Sequence, residues 1–262
     1  MDKRNALKED CRRIWETNAD CWDQISDRVG WHELLIVPAT ERLLGAKEGE
    51  RILDIACGNG NFSRRLASMG ADVVAFDFCS NLIEKARSRT LENIERIDYR
   101  VMDATDTQAM LSLGDSCFDA AVCCMGLFDI MEISPLASAL PGLLKPAGRF
   151  VFSIMHPCFN SGNFKKVTEI TEINGKIETE YAIKRSTYIR NLTHKGLALA
   201  HQPEPQYYFH RSIHEIFKPF FKAGFIIDGL EEPVFDSADT TNSLSRQLYK
   251  EIPPVMVIRA RC

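Results

Sequence analysis

The chain has 262 residues, 45% of them hydrophobic, which is enough to bury a substantial core in one large domain or a domain with an insertion. Its formal net charge of −4 argues against a dedicated nucleic-acid binder, which carries a basic stripe, and is too mild for an acidic tail or a membrane surface. No apolar run approaches the roughly 20 residues that span a bilayer.

The charged opening MDKRNALKEDCRR lacks the apolar stretch of a secretory signal, so a cytoplasmic protein is expected. The nine cysteines are scattered, include no CxxC pair and lie mostly in or beside apolar runs. They read as buried, reduced thiols. No His/Asp/Glu cluster has metal-ligand spacing, so no metal is expected.

Residues 5–29 carry Ile14, Trp15, Ala19, Trp22 and Ile25 at helical spacing, and a second helix is expected over 31–44, ending before Gly45. Alternation follows. RILDIA (51–56), DVVAFD (72–77), DYRVMD (98–103), FDAAVCCM (118–125) and GRFVFSIM (148–155) read as strands covered on both faces. Helical segments separate them at 61–69, 80–91 and 134–144, the last opening on Ser134–Pro135 as N-cap and first helical residue. Such alternation implies an α/β fold with a parallel sheet and right-handed crossovers.

After residue 156 the pattern changes. KVTEITEINGKIETEYAIKRSTYIR alternates β-branched and charged residues around Asn174–Gly175, the signature of a hairpin with a two-residue turn. A polar stretch with two prolines (HQPEPQ) leads to a helix opening at Ser212-x-x-Glu215, a capping box. GFIIDG (224–229) and PVMVIRA (254–260) read as closing strands. The hairpin is an insertion, and insertions at the carboxyl edge of a parallel sheet shape substrate sites.

The stretch RILDIACGNG-NFS places two glycines one residue apart between the first strand and the helix from Asn61. Gly58 and Gly60 permit a tight turn and close ligand approach, and the helix start offers unpaired N–H groups. Ser63 stands where a dinucleotide-binding loop places its third glycine, which weakens a nicotinamide or flavin reading. In context, Ile52 to Gly60 resembles motif I of the class I S-adenosylmethionine-dependent methyltransferases, usually hh-D-h-G-C-G-x-G, with Ala56 in place of the first glycine. Asp77 closing the second strand, Met102-Asp103-Ala104 closing the third, Phe118 to Val122 and Leu144 to Arg149 resemble the later motifs in order.

The resemblance covers roughly 15–155 and returns at 208–230, with the hairpin unmatched. It implies a Rossmann-like three-layer sandwich whose seven-stranded, mostly parallel sheet has the order 3-2-1-4-5-7-6. A helical lid over 1–45, a cofactor-binding core over 46–156, a hairpin cap over 157–206 and closing elements over 207–262 would form one methyltransferase domain.

The resemblance also implies S-adenosylmethionine as methyl donor, with S-adenosylhomocysteine as product. Asp77 would bind the ribose hydroxyls, as a carboxylate accepting from both can; a helix N-cap is its structural alternative. Asp103 and the N–H of Ala104 would hold the adenine, or Asp103 is a turn residue. Asp54 would orient the loop (Ala56, Gly58, Gly60) and the ligand's ammonium group, or cap the loop structurally. Phe62 and Phe78 could lie against the adenine. Trp22 or Trp31 could touch the sulfonium by cation–π attraction, or both are packing residues. His32 reads as a surface or capping residue and Asp106 as an N-cap.

Met125 and Phe128 should face the transferable methyl. Asp129 could bind an amine, act as a base or start a helix. His156 and His210 are candidate proton acceptors, each with a structural alternative. Direct transfer needs no nucleophile at Cys158.

The expected activity is methyl transfer to an O or N of a small molecule by a monomer or homodimer, without nucleic-acid or membrane partners. The alternatives are an RNA or protein methyltransferase, a nicotinamide-dependent oxidoreductase and a non-catalytic cofactor-binding relative.

Overall fold

The computed structural model describes residues 3–25, 30–236 and 244–262. Helix α1 spans Lys3–Ile25; the last four residues of the expected 5–29 helix lie outside the described residues. The expected 31–44 helix divides into a π-helical turn, His32–Ile36, and α2, Val37–Leu44, which stops at Gly45 in the left-handed conformation (φ 54°).

The alternating core follows as β1 (Arg51–Ile55), α3 (Asn61–Ser68), β2 (Asp72–Asp77), α4 (Ser80–Arg89), β3 (Ile97–Val101), α5 (Thr107–Leu111), β4 (Phe118–Cys124), α6 (Ser134–Leu143) and β5 (Leu144–Met155). Asp106 caps α5 by accepting the Ala109 N–H at 3.0 Å. Ser134 does not cap α6: it is the first helical residue, Ile133 is the N-cap, and Pro135 still occupies the first turn, where its missing N–H costs nothing. β5 starts earlier than its apolar run because Lys145 to Gly148 bulge out between the Phe118↔Leu144 and Ala120↔Arg149 pairs.

The hairpin is β6 (Phe164–Ile173) and β7 (Lys176–Arg185), in register from Phe164↔Arg185 to Ile173↔Lys176. Its turn needs two left-handed residues, which Asn174 (φ 53°) and Gly175 (φ 74°) supply. A second two-stranded ladder, β8 (Leu192–Gly196) and β9 (Gln206–His210), flanks the proline-containing stretch and has no counterpart in the sequence reading. Then come α7 (Ile213–Lys222), whose N-cap Ser212 accepts the Glu215 N–H at 3.4 Å, β10 (Ile226–Glu231), α8 (Leu244–Leu248) and β11 (Val255–Arg261).

Seven strands join in the order β10-β11-β5-β4-β1-β2-β3. Counting only these strands along the chain, the order is the expected 3-2-1-4-5-7-6. β1 pairs parallel with β2 and β4, and β11 runs antiparallel to both β5 and β10. Both faces of the sheet are covered. Leu53, Phe76, Phe118 and Phe152 pack towards α6 and α7 through Leu140 and Phe220, while Ile52, Val73 and Val122 pack towards α2–α4 through Leu44, Leu66 and Ile83. Winding reverses between β1 and β4, so a crevice opens at the carboxyl ends of those strands.

Helix α1 lies across that edge and is pinned by α4. The Glu16 carboxylate accepts the Ser80 and Asn81 N–H groups at 2.7 and 3.0 Å, so a residue of α1 caps the N-terminus of another helix. Asp20–Lys85 and Asp23–Arg89 ion pairs extend the contact.

Candidate functional site

The crevice is a cavity of about 720 Å³, within the size range of small-molecule sites. Most of the residues singled out in the sequence line it: Trp22, Trp31, Asp54, Ala56, Gly58, Phe62, Asp77, Phe78, Asp103, Ala104, Met125, Phe128, Asp129 and His210. Gly60 and His156 do not.

The glycine loop divides its labour. A Cβ on Gly58 would meet nothing within 4 Å, so this backbone lies open to a ligand. A Cβ on Gly60 would fall 2.4 Å from the Tyr99 hydroxyl, so Gly60 serves packing between the loop and β3. Ala56 takes the left-handed conformation (φ 55°) that a glycine would hold without strain. Its methyl is accommodated by Gly126, where an added Cβ would come within 2.8 Å of it.

Asp54 is 1% exposed. Its Oδ2 accepts the Ser63 hydroxyl at 2.5 Å, and its Oδ1 is buried without a hydrogen-bond partner. Ser63 therefore sits at the third-glycine position to hold this carboxylate. Burial pushes the Asp54 carboxyl up to about 7, against the Ser63 bond and with help from the Asp77 charge.

Asp77 accepts the Gly58 N–H on Oδ2 at 3.0 Å and the Cys79 N–H on Oδ1 at 2.9 Å. Capping of α4 falls to Glu16, which leaves Asp77 to fix the loop. Burial raises it to about 6, although both backbone bonds oppose the rise.

Asp103 differs. Burial pushes it up, but the Lys8 ammonium at 2.9 Å and the Thr105 N–H and hydroxyl, both at 2.7 Å, hold it below the usual carboxylate range. It is thus a turn residue as well as a cavity residue.

Phe62 is packed in the core beside Leu66 and Tyr99, whereas Phe78 joins Trp15, Trp22 and Leu82 under α1. Trp22 is fixed by its Nε1–H donating to Gln206 Oε1 at 3.1 Å. Trp31 packs edge-on against Tyr249 and Phe235 near Met125. His32 lines the cavity, with Nε2 3.7 Å from Cys124 Sγ, and so is not a surface residue. Met125, at φ 58°, donates its N–H to the Ser153 hydroxyl at 3.0 Å and brings the end of β4 to the wall.

Asp129 faces the cavity and accepts one hydrogen bond, from Gln206 Nε2 at 3.3 Å; burial raises its carboxyl well above the usual range. Buried Gln206 thereby links α1 to the segment that follows β4. Sequence reasoning missed it, because glutamine in a polar stretch carries no signal.

The two histidines part company. His156 is 2% exposed and turned away from the cavity. Its Nδ1 accepts the Cys158 N–H at 3.1 Å, so Nε2 carries the proton and donates to the Glu232 carboxylate at 2.7 Å. Burial lowers its pKa, Glu232 opposing. No lone pair remains for a substrate proton, and the structure makes His156 a turn residue. His210 is 1% exposed and does line the cavity, beside Ser161 and Tyr208. Burial lowers its pKa as well.

The donor set fits a cationic nucleoside. An orphaned carboxylate oxygen and a second raised carboxylate share an apolar cavity with an open glycine backbone, which suits positive groups and hydroxyls and repels a pyrophosphate.

Residues 53–152 match the family model described as a methyltransferase domain. A demethylmenaquinone methyltransferase of Clavibacter sepedonicus is 41% identical over 113 residues, which are 43% of this chain and 44% of that protein. A ubiquinone biosynthesis O-methyltransferase of Xanthomonas axonopodis pv. citri is 34% identical over 108 residues, 41% of this chain and 44% of that one. The chain spans under half the length of these curated relatives. The crystal structure of an S-adenosylmethionine-dependent methyltransferase from Mesorhizobium loti aligns over 86% of this chain and 96% of its own, with a TM-score of 0.67 and 25% identity. Strand order, glycine loop and sequence similarity agree: residues 53–152 match a methyltransferase domain, and they lie on a class I, Rossmann-like fold shared with S-adenosylmethionine-dependent methyltransferases of known structure.

Proposed function

We propose that the chain transfers a methyl group from S-adenosylmethionine to an O or N of a small-molecule acceptor, by direct in-line displacement. The observation that carries this reading is the pair Asp54 and Asp77, two buried carboxylates in one cavity, one of them with an unpartnered oxygen. A sulfonium donor supplies a methyl already activated for displacement. The chain's residues then need only bind, orient and exclude water.

In this reading Asp77, still able to accept on both oxygens, takes the ribose hydroxyls. Asp54 Oδ1 answers the ammonium group, directly or through the loop. Asp103 and Ala104 border the adenine, with Phe78 beside it. Met125 and Phe128 face the methyl, and Trp22 and Trp31 wall the cavity. Residues 1–45 act as lid and 157–206 as cap on the acceptor side. Of the two candidate histidines, His210 lines the cavity and is retained as a group of the acceptor side, and His156, which does not line it, is not. Asp129 is retained as a polar group of the acceptor side.

Titration calorimetry tests the reading. S-adenosylmethionine and S-adenosylhomocysteine should bind with NAD giving no heat, and labelled methyl should pass to a member of a metabolite panel. Binding of NAD in preference to both would refute it. No helix among the described residues is long and apolar enough to cross a membrane, and small, diffusible acceptors are the expected partners.

A further inference from the structure

Among the described residues, four aspartates line the cavity against one lysine and no arginine. The lysine, Lys8, is already paired with Asp103 at 2.9 Å. Asp77 ends β2 and Asp103 follows β3, whereas Asp129 follows β4, on the other side of β1. In the reading above the methyl donor engages Asp54 and Asp77. Asp129 is then the lining carboxyl that no cation answers.

Its orientation is set by a run of side-chain amides in which every direction is forced. The Ala198 and Leu199 N–H groups, which can only donate, meet Gln202 Oε1 at 3.1 and 3.4 Å. Gln202 therefore turns Nε2 to the Glu204 carbonyl at 2.7 Å and to Gln206 Oε1 at 3.1 Å. The Trp22 indole N–H, also a donor only, meets the same Gln206 oxygen at 3.1 Å. Gln206 must then present Nε2 to Asp129 Oδ1, 3.3 Å away. Oδ1 is thereby fixed as an acceptor, which leaves Oδ2 open to the cavity.

Beside Asp129 the wall is aromatic. Phe128 and Tyr208 stack with ring centroids 5.5 Å apart, and His194 tilts against Tyr208 at 5.6 Å. A carboxylate in such a wall, helped by one neutral amide, is short of compensation. A hydroxyl ligand would bring only a dipole. An ammonium group brings a full charge and several donors, and the aromatic faces attract it as well. We propose that Asp129 recognises the acceptor, that Gln206 is its positioning residue, and that the acceptor carries a protonated amine. The proposal rests on the methyl-transfer reading above.

Burial raises the Asp129 carboxyl, and the Gln206 bond opposes the rise. An ammonium group binds the ionised form, so its affinity climbs as pH rises through the titration of Asp129. Burial pushes up the Cys11 thiol of α1, the Cys123 thiol of β4 and the Tyr208 hydroxyl of β9, which keeps all three neutral in that range. His194 of β8 is lowered by burial and is neutral as well. Asp77 of β2, raised to about 6, contributes equally to wild type and to an Asp129 variant.

The test uses the full chain saturated with S-adenosylhomocysteine, titrated calorimetrically with benzylamine and benzyl alcohol, which match in size. Benzylamine should bind about tenfold tighter near pH 8, with a margin that shrinks towards pH 5. Asp129→Asn should remove both the margin and its pH dependence. In Gln206→Leu, carbon NMR should show the Asp129 carboxyl titrating at higher pH, with the benzylamine profile displaced alongside it. A merely structural role for Gln206 predicts the opposite, because a loosened wall admits water and lowers that carboxyl. Preference for the alcohol, an indifferent Asp129→Asn variant, binding of neither probe, or a titration that stays or falls in Gln206→Leu would each overturn the proposal. Loss of S-adenosylhomocysteine binding in the wild-type chain would instead strike the methyl-transfer reading itself.

Discussion

Replacing Asp54 with asparagine should change the pH dependence of stability in the ligand-free protein in one direction only. The carboxyl is raised from 3.8 to about 7 by burial. Between about pH 4 and pH 7 the native state therefore holds a proton that the unfolded chain has released, and stability falls as pH rises through that window. The full difference corresponds to about 4 kcal/mol, more than half of it lost between pH 5 and pH 8. Asp54→Asn removes this loss. The new amide group sets a constant offset, but an offset does not vary with pH. Urea denaturation of both proteins at several pH values isolates the effect, since other carboxylates contribute equally to each. The stability of the variant relative to wild type should climb from pH 4 to pH 7 and then level off. A difference that stays flat, or shrinks as pH rises, would refute the claim that an uncompensated charge is stored there. The same variant should bind S-adenosylmethionine more weakly at pH 8, where the wild-type carboxylate is ionised.

Asp77→Ala should weaken S-adenosylmethionine binding by about 1–3 kcal/mol, the cost of losing a buried charged acceptor, and calorimetry reads it directly. Ala56→Gly should raise stability by up to about 1 kcal/mol, because φ 55° strains alanine and not glycine; a drop in the denaturation midpoint would contradict this. The two loop glycines should separate: Gly60→Ala loses the more stability, because its Cβ meets the Tyr99 hydroxyl, whereas Gly58→Ala loses only about 1 kcal/mol to its left-handed φ of 56° and loses cofactor affinity. His156→Gln should cost about 1–3 kcal/mol of stability through the broken Cys158 and Glu232 bonds, yet leave S-adenosylmethionine affinity unchanged.

The glycine-loop side of the cavity was legible because its pattern is local. Strands buried on both faces read as apolar runs, and the bend after β1 needs small residues within a few positions of each other. Even there the assignments shifted. The sequence treats Gly58 and Gly60 alike, and only the approach of Tyr99 from β3 distinguishes them. The side facing β5 and β9 resisted because its bonds join residues far apart in the chain: Ser161 with His210, Trp22 with Gln206, Gln206 with Asp129. Periodicity reports whether a position is buried and says nothing about its partner. His156 and His210 looked equivalent as histidines at element ends. The backbone turn through Cys158 and the approach of Glu232 hold one ring away from the cavity, while the other, bonded to Ser161 and the Tyr188 carbonyl, lines it. β8 was hidden because one strand of an isolated ladder buries too little to impose an apolar pattern.

Helix α1 shows the same limit. Amphipathic spacing announced α1, but not that it would be held on two flanks. On one flank Glu16 caps α4. On the other, the Asn18 amide exchanges hydrogen bonds with the backbone of Glu204, donating to its carbonyl at 2.8 Å and accepting its N–H at 2.9 Å. Exposed ion pairs such as Arg13–Glu204 add little to either flank, because solvent screens them. The two buried or half-buried polar exchanges therefore carry the attachment. One fastens α1 to the start of α4 just beyond Asp77, the other to the segment that carries Gln206 towards Asp129.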